Sequence, residues 1–231
     1  MLDQLLEFTP TFTLDALVLL PVLVALEAIL SADNAIALAA IARGLPNQEV
    51  QRQALNVGLV AAFGLRVALI LTANWVKDFW QFEVLGAGYL LWLAIQYFTS
   101  NEADEDGENT HHRFANLWEA IPILALTDLA FSLDSVTTAI AISDETWLVI
   151  LGGAIGVLTL RFMAELFIQW LQEYKHLEDA GYLAVAFVGI RLLVRVVAPA
   201  LVPPDWTMIA LITVLFIWGF SERSQQVSDK N

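Results

Sequence analysis

Two stretches decide the fold: residues 27–42, EAILSADNAIALAAIA, and residues 127–143, TDLAFSLDSVTTAIAIS. Each is an apolar run with acids and small hydroxyl residues set inside it, and the second copies the first. At an offset of 101, Pro21, Leu23, Glu27, Ser31 and Asp33 align with Pro122, Leu124, Asp128, Ser132 and Asp134. After a shorter connection Gly58, Leu65 and Arg66 match Gly153, Leu160 and Arg161, and Gly88-Tyr89-Leu90 then matches Gly181-Tyr182-Leu183.

Working outward, apolar runs of span length lie near 14–42, 54–74, 82–99, 117–142, 146–171, 178–198 and 206–221, separated by polar or Pro/Gly-marked connections. The expected fold is an all-α integral membrane protein of seven transmembrane helices in one membrane domain. Repeat 1 covers 14–99, an acidic linker 100–116, repeat 2 117–198, and an extra helix 206–221. Three crossings per repeat force the second copy to enter from the opposite face. The halves are then inverted, as in secondary transporters whose sites lie near the bilayer midplane. Composition agrees: 231 residues, 58% hydrophobic, 16% charged and a mean hydropathy of +0.65 are too apolar for a soluble domain. The spans use up the length, leaving no room for a catalytic domain.

Trp75, Trp80, Trp118, Trp147, Trp170, Trp206 and Trp218 fall near span ends, at headgroup level, and Trp92 alone lies mid-span. In the connections, Arg43, Arg52, Arg113, Lys175, Arg223 and Lys230 face Lys77 alone across the membrane. The positive-inside rule therefore puts the N-terminus outside and the C-terminus in the cytoplasm. With Asp3 and Glu7 and no Lys or Arg before Arg43, the start lacks the basic stretch of a cleavable signal, so the first run is expected to stay as a span.

The chemistry sits in the first and fourth spans. Glu27, Ser31 and Asn34 are spaced i, i+4, i+7, as are Asp128, Ser132 and Ser135, so each trio forms one polar stripe on a regular helix. Asp33 and Asp134 leave that stripe, because six residues turn a helix by about 240°. The 14–42 run would be about 43 Å long as one helix against a core of about 30 Å, which leaves room for a break near Leu30-Ser31. Pro21 and Pro122 are further kink points. Carboxylates in hydrocarbon cost roughly 2.5–3.5 kcal/mol each on insertion scales, so they need partners or protons. Four acids against Arg66 and Arg161 leave a formal charge of −2, which one divalent cation or two protons would neutralise. With no cysteine and no intramembrane histidine, such a site is oxygen-only and suits hard ions such as Mn, Mg or Ca. The plain alternative is that these acids lock helices through Arg66 and Arg161.

Other features are less specific. Glu165 is placed to pair with Arg161 at i+4. Arg191 and Arg195 share a face of the sixth span. The linker holds Asp104, Glu105, Asp106, His111 and His112, a candidate for collecting cations at the inner mouth and otherwise a solvated connection. A retinal protein is excluded because Lys77, Lys175 and Lys230 lie outside the spans. HExxH, GxSxG and Walker A motifs are absent, so no enzyme is expected and any transport must run on a gradient, the membrane potential or a partner.

The two quoted stretches resemble the paired signature segments of the TerC family of integral membrane proteins, over nearly the whole chain. The resemblance implies kinship with LysE-type exporters. It carries an association with tellurium resistance, manganese efflux in bacterial members and thylakoid biogenesis in plant members. It makes Glu27, Asp33, Asp128 and Asp134 the acidic intramembrane positions, with Asn34 and Ser135 beside them. The expected function is export of a divalent cation, Mn2+, by proton exchange, from a bacterial plasma membrane or a thylakoid-type membrane. Ser31, Asn34, Ser132 and Ser135 would complete the shell, and Arg66 and Arg161 would tune charge. No permanently bound cofactor and no nucleic acid are expected; cation, protons and lipid are the partners. A scaffold assisting membrane-protein assembly, with protein partners, is the alternative. An oxyanion site fits poorly, since it would be lined by arginines or helix N-termini rather than acids.

Overall fold

The computed structural model describes residues 18–25, 32–76, 80–101, 116–143 and 145–224; for 32–33, 73–76, 100–101, 134 and 205 it describes the backbone alone. After a helical stretch over 18–25 come α1 (Ala32–Arg43), α2 (Gln48–Val76), α3 (Trp80–Asn101), α4 (Leu117–Ile142), α5 (Thr146–Glu173), α6 (Leu177–Val197) and α7 (Asp205–Gly219). A 3₁₀ turn, Pro199–Leu201, precedes α7. No strand occurs among the described residues, only an isolated bridge between Tyr174 and Arg223.

Local chemistry sets several boundaries. Pro46 cannot continue α1, and Asn47 starts α2 by accepting the Val50 amide on Oδ1 at 2.8 Å. Gln51 reaches back to donate to the carbonyls of Leu45 at 3.0 Å and Arg43 at 3.5 Å, fastening this corner. Prolines at 199, 203 and 204 separate α6 from α7, and Thr207 donates to the Pro204 carbonyl at 2.6 Å.

Of the seven spans read from the sequence, α2 (over Gln48–Thr72), α5 and α6 are long and apolar enough to cross a membrane. The two parts of α4, Leu117–Leu133 and Ser135–Ile142, meet at 41° and make a fourth if counted as one. Asn34–Arg43 and Trp206–Gly219 are shorter apolar helices. A break near Leu30-Ser31 falls outside the described residues. In α4 the bend comes not at Pro122 but just after Ser132, whose hydroxyl donates to the Asp128 carbonyl at 2.6 Å. Such back-bonding weakens the ladder where the helix turns.

The core lies around α1, whose residues Ala35 to Ala42 are all buried. Small alanines let neighbouring backbones close in, the usual means of association between membrane helices. α1 packs on α5, α6 and α4; α2 packs on α4 and α5; α3 packs on α6 and α4; α7 rests on α6. α3 and α6 run antiparallel, with Tyr97 near the end of α3 stacked on Tyr182 near the start of α6 at 3.8 Å between rings. Tyr97 also donates to Asp179 at 2.7 Å. Large apolar side chains such as Val60, Leu85, Trp92 and Phe162 face outward, as lipid-facing positions should.

Candidate functional site

Asp128 lies on the inner face of α4, 0% exposed, and Arg66 of α2 reaches it while 1% exposed. The Arg66 stem passes Gly153 of α5, where a Cβ would stand in ordinary contact, 3.5 Å from the Arg66 Cδ. The guanidinium Nη2 donates to both carboxylate oxygens, at 3.4 and 3.3 Å. These are long for a charge-assisted pair, which usually closes to 2.7–2.9 Å. Ser132 Oγ also stands 3.4 Å from Asp128 Oδ2, and Ser135 Oγ donates to the Ser132 carbonyl at 3.4 Å. Asp128, Ser132 and Ser135 thus form one buried stripe, as i, i+4, i+7 spacing requires.

Beside this stripe is a cavity of about 20 Å3 lined by Arg66, Ser135, Leu23, Ile70, Gly152 and Gly153 among others. That is enough for one water-sized particle. Thr127, buried next to Asp128, is held by Tyr89, whose hydroxyl lies 3.0 Å from Thr127 Oγ1 and donates to the Ile123 carbonyl at 3.1 Å. Sequence reading did not single out Thr127 as a site residue, although its adjacency to Asp128 in the second quoted stretch marks it.

Asn34 is buried at the start of α1. Glu27, Ser31, Asp104, Glu105, Asp106, His111 and His112 lie outside the described residues, as do the side chains of Asp33 and Asp134. Among the described residues no three of His, Cys, Asp and Glu converge as a metal-holding group.

Arg161 is engaged elsewhere. It donates from Nη1 to Glu165 at 2.7 Å, the i+4 pairing expected from sequence, and from Nε to Asn56 of α2. Glu165 is shared with Arg52 of α2 at 2.9 Å. Near the same end, Arg43 at the close of α1 pairs with Glu178 at the opening of α6 at 2.6 Å. Arg52 and Asn56 were missed in the sequence because they come from a different helix, and spacing within one helix does not register such partners.

The model of the "Integral membrane protein TerC family" matches residues 12–228. The chain is 33% identical over 176 residues to the uncharacterized membrane protein YceF of Bacillus subtilis, covering 74% of this chain and 68% of that one. It is 33% identical over 189 residues to the uncharacterized membrane protein YkoY of the same organism, covering 74% of this chain and 58% of that one. The inner membrane protein YgdQ of Escherichia coli is 28% identical over 186 residues, 74% of this chain and 77% of its own. No solved structure matches the chain at a significant level.

Proposed function

Because the chain belongs to the TerC family of integral membrane proteins, we propose that it is a secondary transporter that exports a divalent cation, Mn2+ foremost, in exchange for protons. The observation that carries this reading is the Arg66–Asp128 pair: a fully buried carboxylate held by a guanidinium at 3.3–3.4 Å, beside a cavity of about 20 Å3. A pair whose only task was to lock helices would close to the roughly 2.7–2.9 Å of a tight charge-assisted pair, since an unrelieved buried charge is costly. A long pair leaves lone pairs of Asp128 for an ion or a proton.

Two further features support the seven-span, inverted-repeat reading. Exchanging α1, α2 and α3 for α4, α5 and α6 turns α2–α4 into α5–α1 and α1–α6 into α4–α3, and returns α2–α5, α1–α4 and α3–α6 to themselves; all of these pairs are in contact. The repeat-matched leucines Leu23 and Leu124 each lie over a glycine of a helix from the other repeat, Gly152 being the neighbour of Gly153, the sequence match of Gly58. Leu124 of α4 fills the space over Gly58 of α2, its Cβ 3.1 Å from where a glycine Cβ would be. Leu23 fills the space over Gly152 of α5, its Cβ at 3.3 Å.

On this reading Glu27, Asp33, Asp128 and Asp134 coordinate the cation or carry the countertransported protons, with Ser31, Asn34, Ser132 and Ser135 completing an oxygen shell suited to a hard ion. Arg66 offsets the charge of Asp128 when the site is empty and repels a second cation. Protons and Mn2+ compete for the same carboxylates, so loading one releases the other, and the formal −2 fits two protons per cation. The N-terminus is outside and the C-terminus in the cytoplasm by the basic-residue asymmetry.

The test is efflux from manganese-loaded cells and from proteoliposomes holding the purified chain. Wild type is expected to clear Mn2+ and to acidify the side it leaves, while Asp128→Asn does neither. Equal clearance by Asp128→Asn overturns the site. No ion movement by wild type, together with co-purifying membrane proteins, favours the scaffold.

A further inference from the structure

A second charged feature lies at the other end of the bundle from the Arg43–Glu178 pair. Because α3 and α6 are antiparallel, the start of α3 stands beside the end of α6, and there Trp80, Glu83, Arg195, Val196 and Val197 line an open groove of about 490 Å3. This volume is in the range of small-ligand sites. α6, which is long and apolar enough to cross a membrane, ends here, and the end of a span is where a bilayer passes from hydrocarbon to headgroups. Its apolar walls are open to the surroundings: Trp80 is 58% exposed and Val197 74%. An indole at a helix end is the usual marker of the headgroup level.

The polar content of the groove is one cation and one anion. Glu83 is half-buried, and among the described residues it makes no ion pair or hydrogen bond. A purely anionic headgroup would gain from Arg195 and be opposed by Glu83. A choline headgroup would meet Glu83 with methyl groups that donate no N–H. An ethanolamine headgroup meets both residues, since its phosphate suits a guanidinium fork and its ammonium brings three N–H donors to a carboxylate.

We propose that this groove is a lipid site selective for phosphatidylethanolamine, with the phosphate on Arg195, the ammonium on Glu83 and the acyl chains along Trp80 and Val197. Native mass spectrometry of the full chain in detergent, titrated with palmitoyl-oleoyl phosphatidylethanolamine, phosphatidylcholine and phosphatidylglycerol, tests it. Wild type is expected to prefer phosphatidylethanolamine over phosphatidylcholine by roughly five- to tenfold, the effect of one charge-assisted hydrogen bond at a partly exposed site. Glu83→Gln should bring the first lipid down to the level of the second, and Arg195→Gln should weaken both. Equal binding of the two lipids by wild type, tighter binding of phosphatidylglycerol, or an unchanged preference in Glu83→Gln overturns the proposal. Soluble O-phosphoethanolamine displacing the lipid at equal concentration overturns it too, because the acyl contacts would then contribute nothing. The wild-type comparison stands even if a variant misfolds.

Discussion

Arg66 and Arg161 hold matching places in the two repeats of the sequence and opposite surroundings in the fold. Arg66 is 1% exposed and meets the Asp128 carboxylate at 3.3 Å in the bundle interior. The Arg161 side chain is 20% exposed and shares Glu165, at 2.7 Å, with Arg52. The accessible pair is close and the enclosed one is long, the reverse of what the cost of burial alone would select. Where water competes, a short ion pair contributes little. In the interior even a loose pair is hard to lose, because the partner left behind keeps an unrelieved charge. The buried arginine is thus placed to respond to a change of charge at Asp128, and the exposed one to hold α2 against α5.

The contrast breaks most sharply if Arg66 is made apolar. Arg66→Met should destabilise the protein by about 3–5 kcal/mol, and Arg66→Met with Asp128→Leu should recover most of that loss, since both charges are then gone. Thermal unfolding in detergent checks it; equal losses in single and double variants would mean that the two charges do not depend on each other. Next in size is the space that admits the Arg66 stem. Gly153→Ala leaves ordinary contact with Cδ at 3.5 Å and should be close to neutral, whereas Gly153→Leu overpacks and should cost roughly 1–3 kcal/mol in the same assay. At the accessible end, Glu165→Gln should cost about 1 kcal/mol or less, with the difference from wild type shrinking in high salt and Mn2+ efflux unaltered.

The smallest expected effect is at Glu222, beyond α7. His176 Nε2 stands 3.0 Å from its Oε2, and that hydrogen bond, with the charge of Lys175 beside it, holds the Glu222 carboxyl below its ordinary value. The folded state therefore binds this proton less readily than the unfolded state. The stabilisation is complete above about pH 4.3 and is lost as pH falls through the lowered value. A pH titration of melting temperature should show Glu222→Gln slightly below wild type near neutrality, with the difference closing as pH falls through the acid range.

The two quoted stretches made much of this legible. Apolar run length marked where the described helices lie, and α2, α5 and α6, with bent α4 as a fourth, are long and apolar enough to cross a membrane, since a chain in lipid must close its own backbone hydrogen bonds over the span. Spacing put Asp128, Ser132 and Ser135 on one face and paired Glu165 with Arg161, since both rest on the geometry of one helix. What spacing does not contain is which face meets which neighbour. The reach of Arg66 past Gly153 to an acid of the other repeat, the sharing of Glu165 with Arg52, and the Tyr89–Thr127 contact all depend on packing between helices. The bend of α4 was legible only in kind: a proline drew attention to 122, while the serine hydroxyl that takes a main-chain carbonyl lies ten residues on.

The bridge between Tyr174 and Arg223 bears on how the protein can be handled. Lys175 donates its amide to the Glu222 carbonyl at 3.1 Å and Ser224 donates to Glu173 at 2.7 Å, so the segment after α7 is stitched to the turn joining α5 and α6. Everything between these two points, α6 and α7 included, becomes a loop closed in the folded chain, and the entropy that closing it costs is offset by these hydrogen bonds and by the packing of α7 on α6. A purification handle or fluorescent reporter grafted at Gly219 would cut this stitch and release α7, which rests on α6 through Leu177 and Ala180. The same graft placed past Ser224 leaves the loop closed.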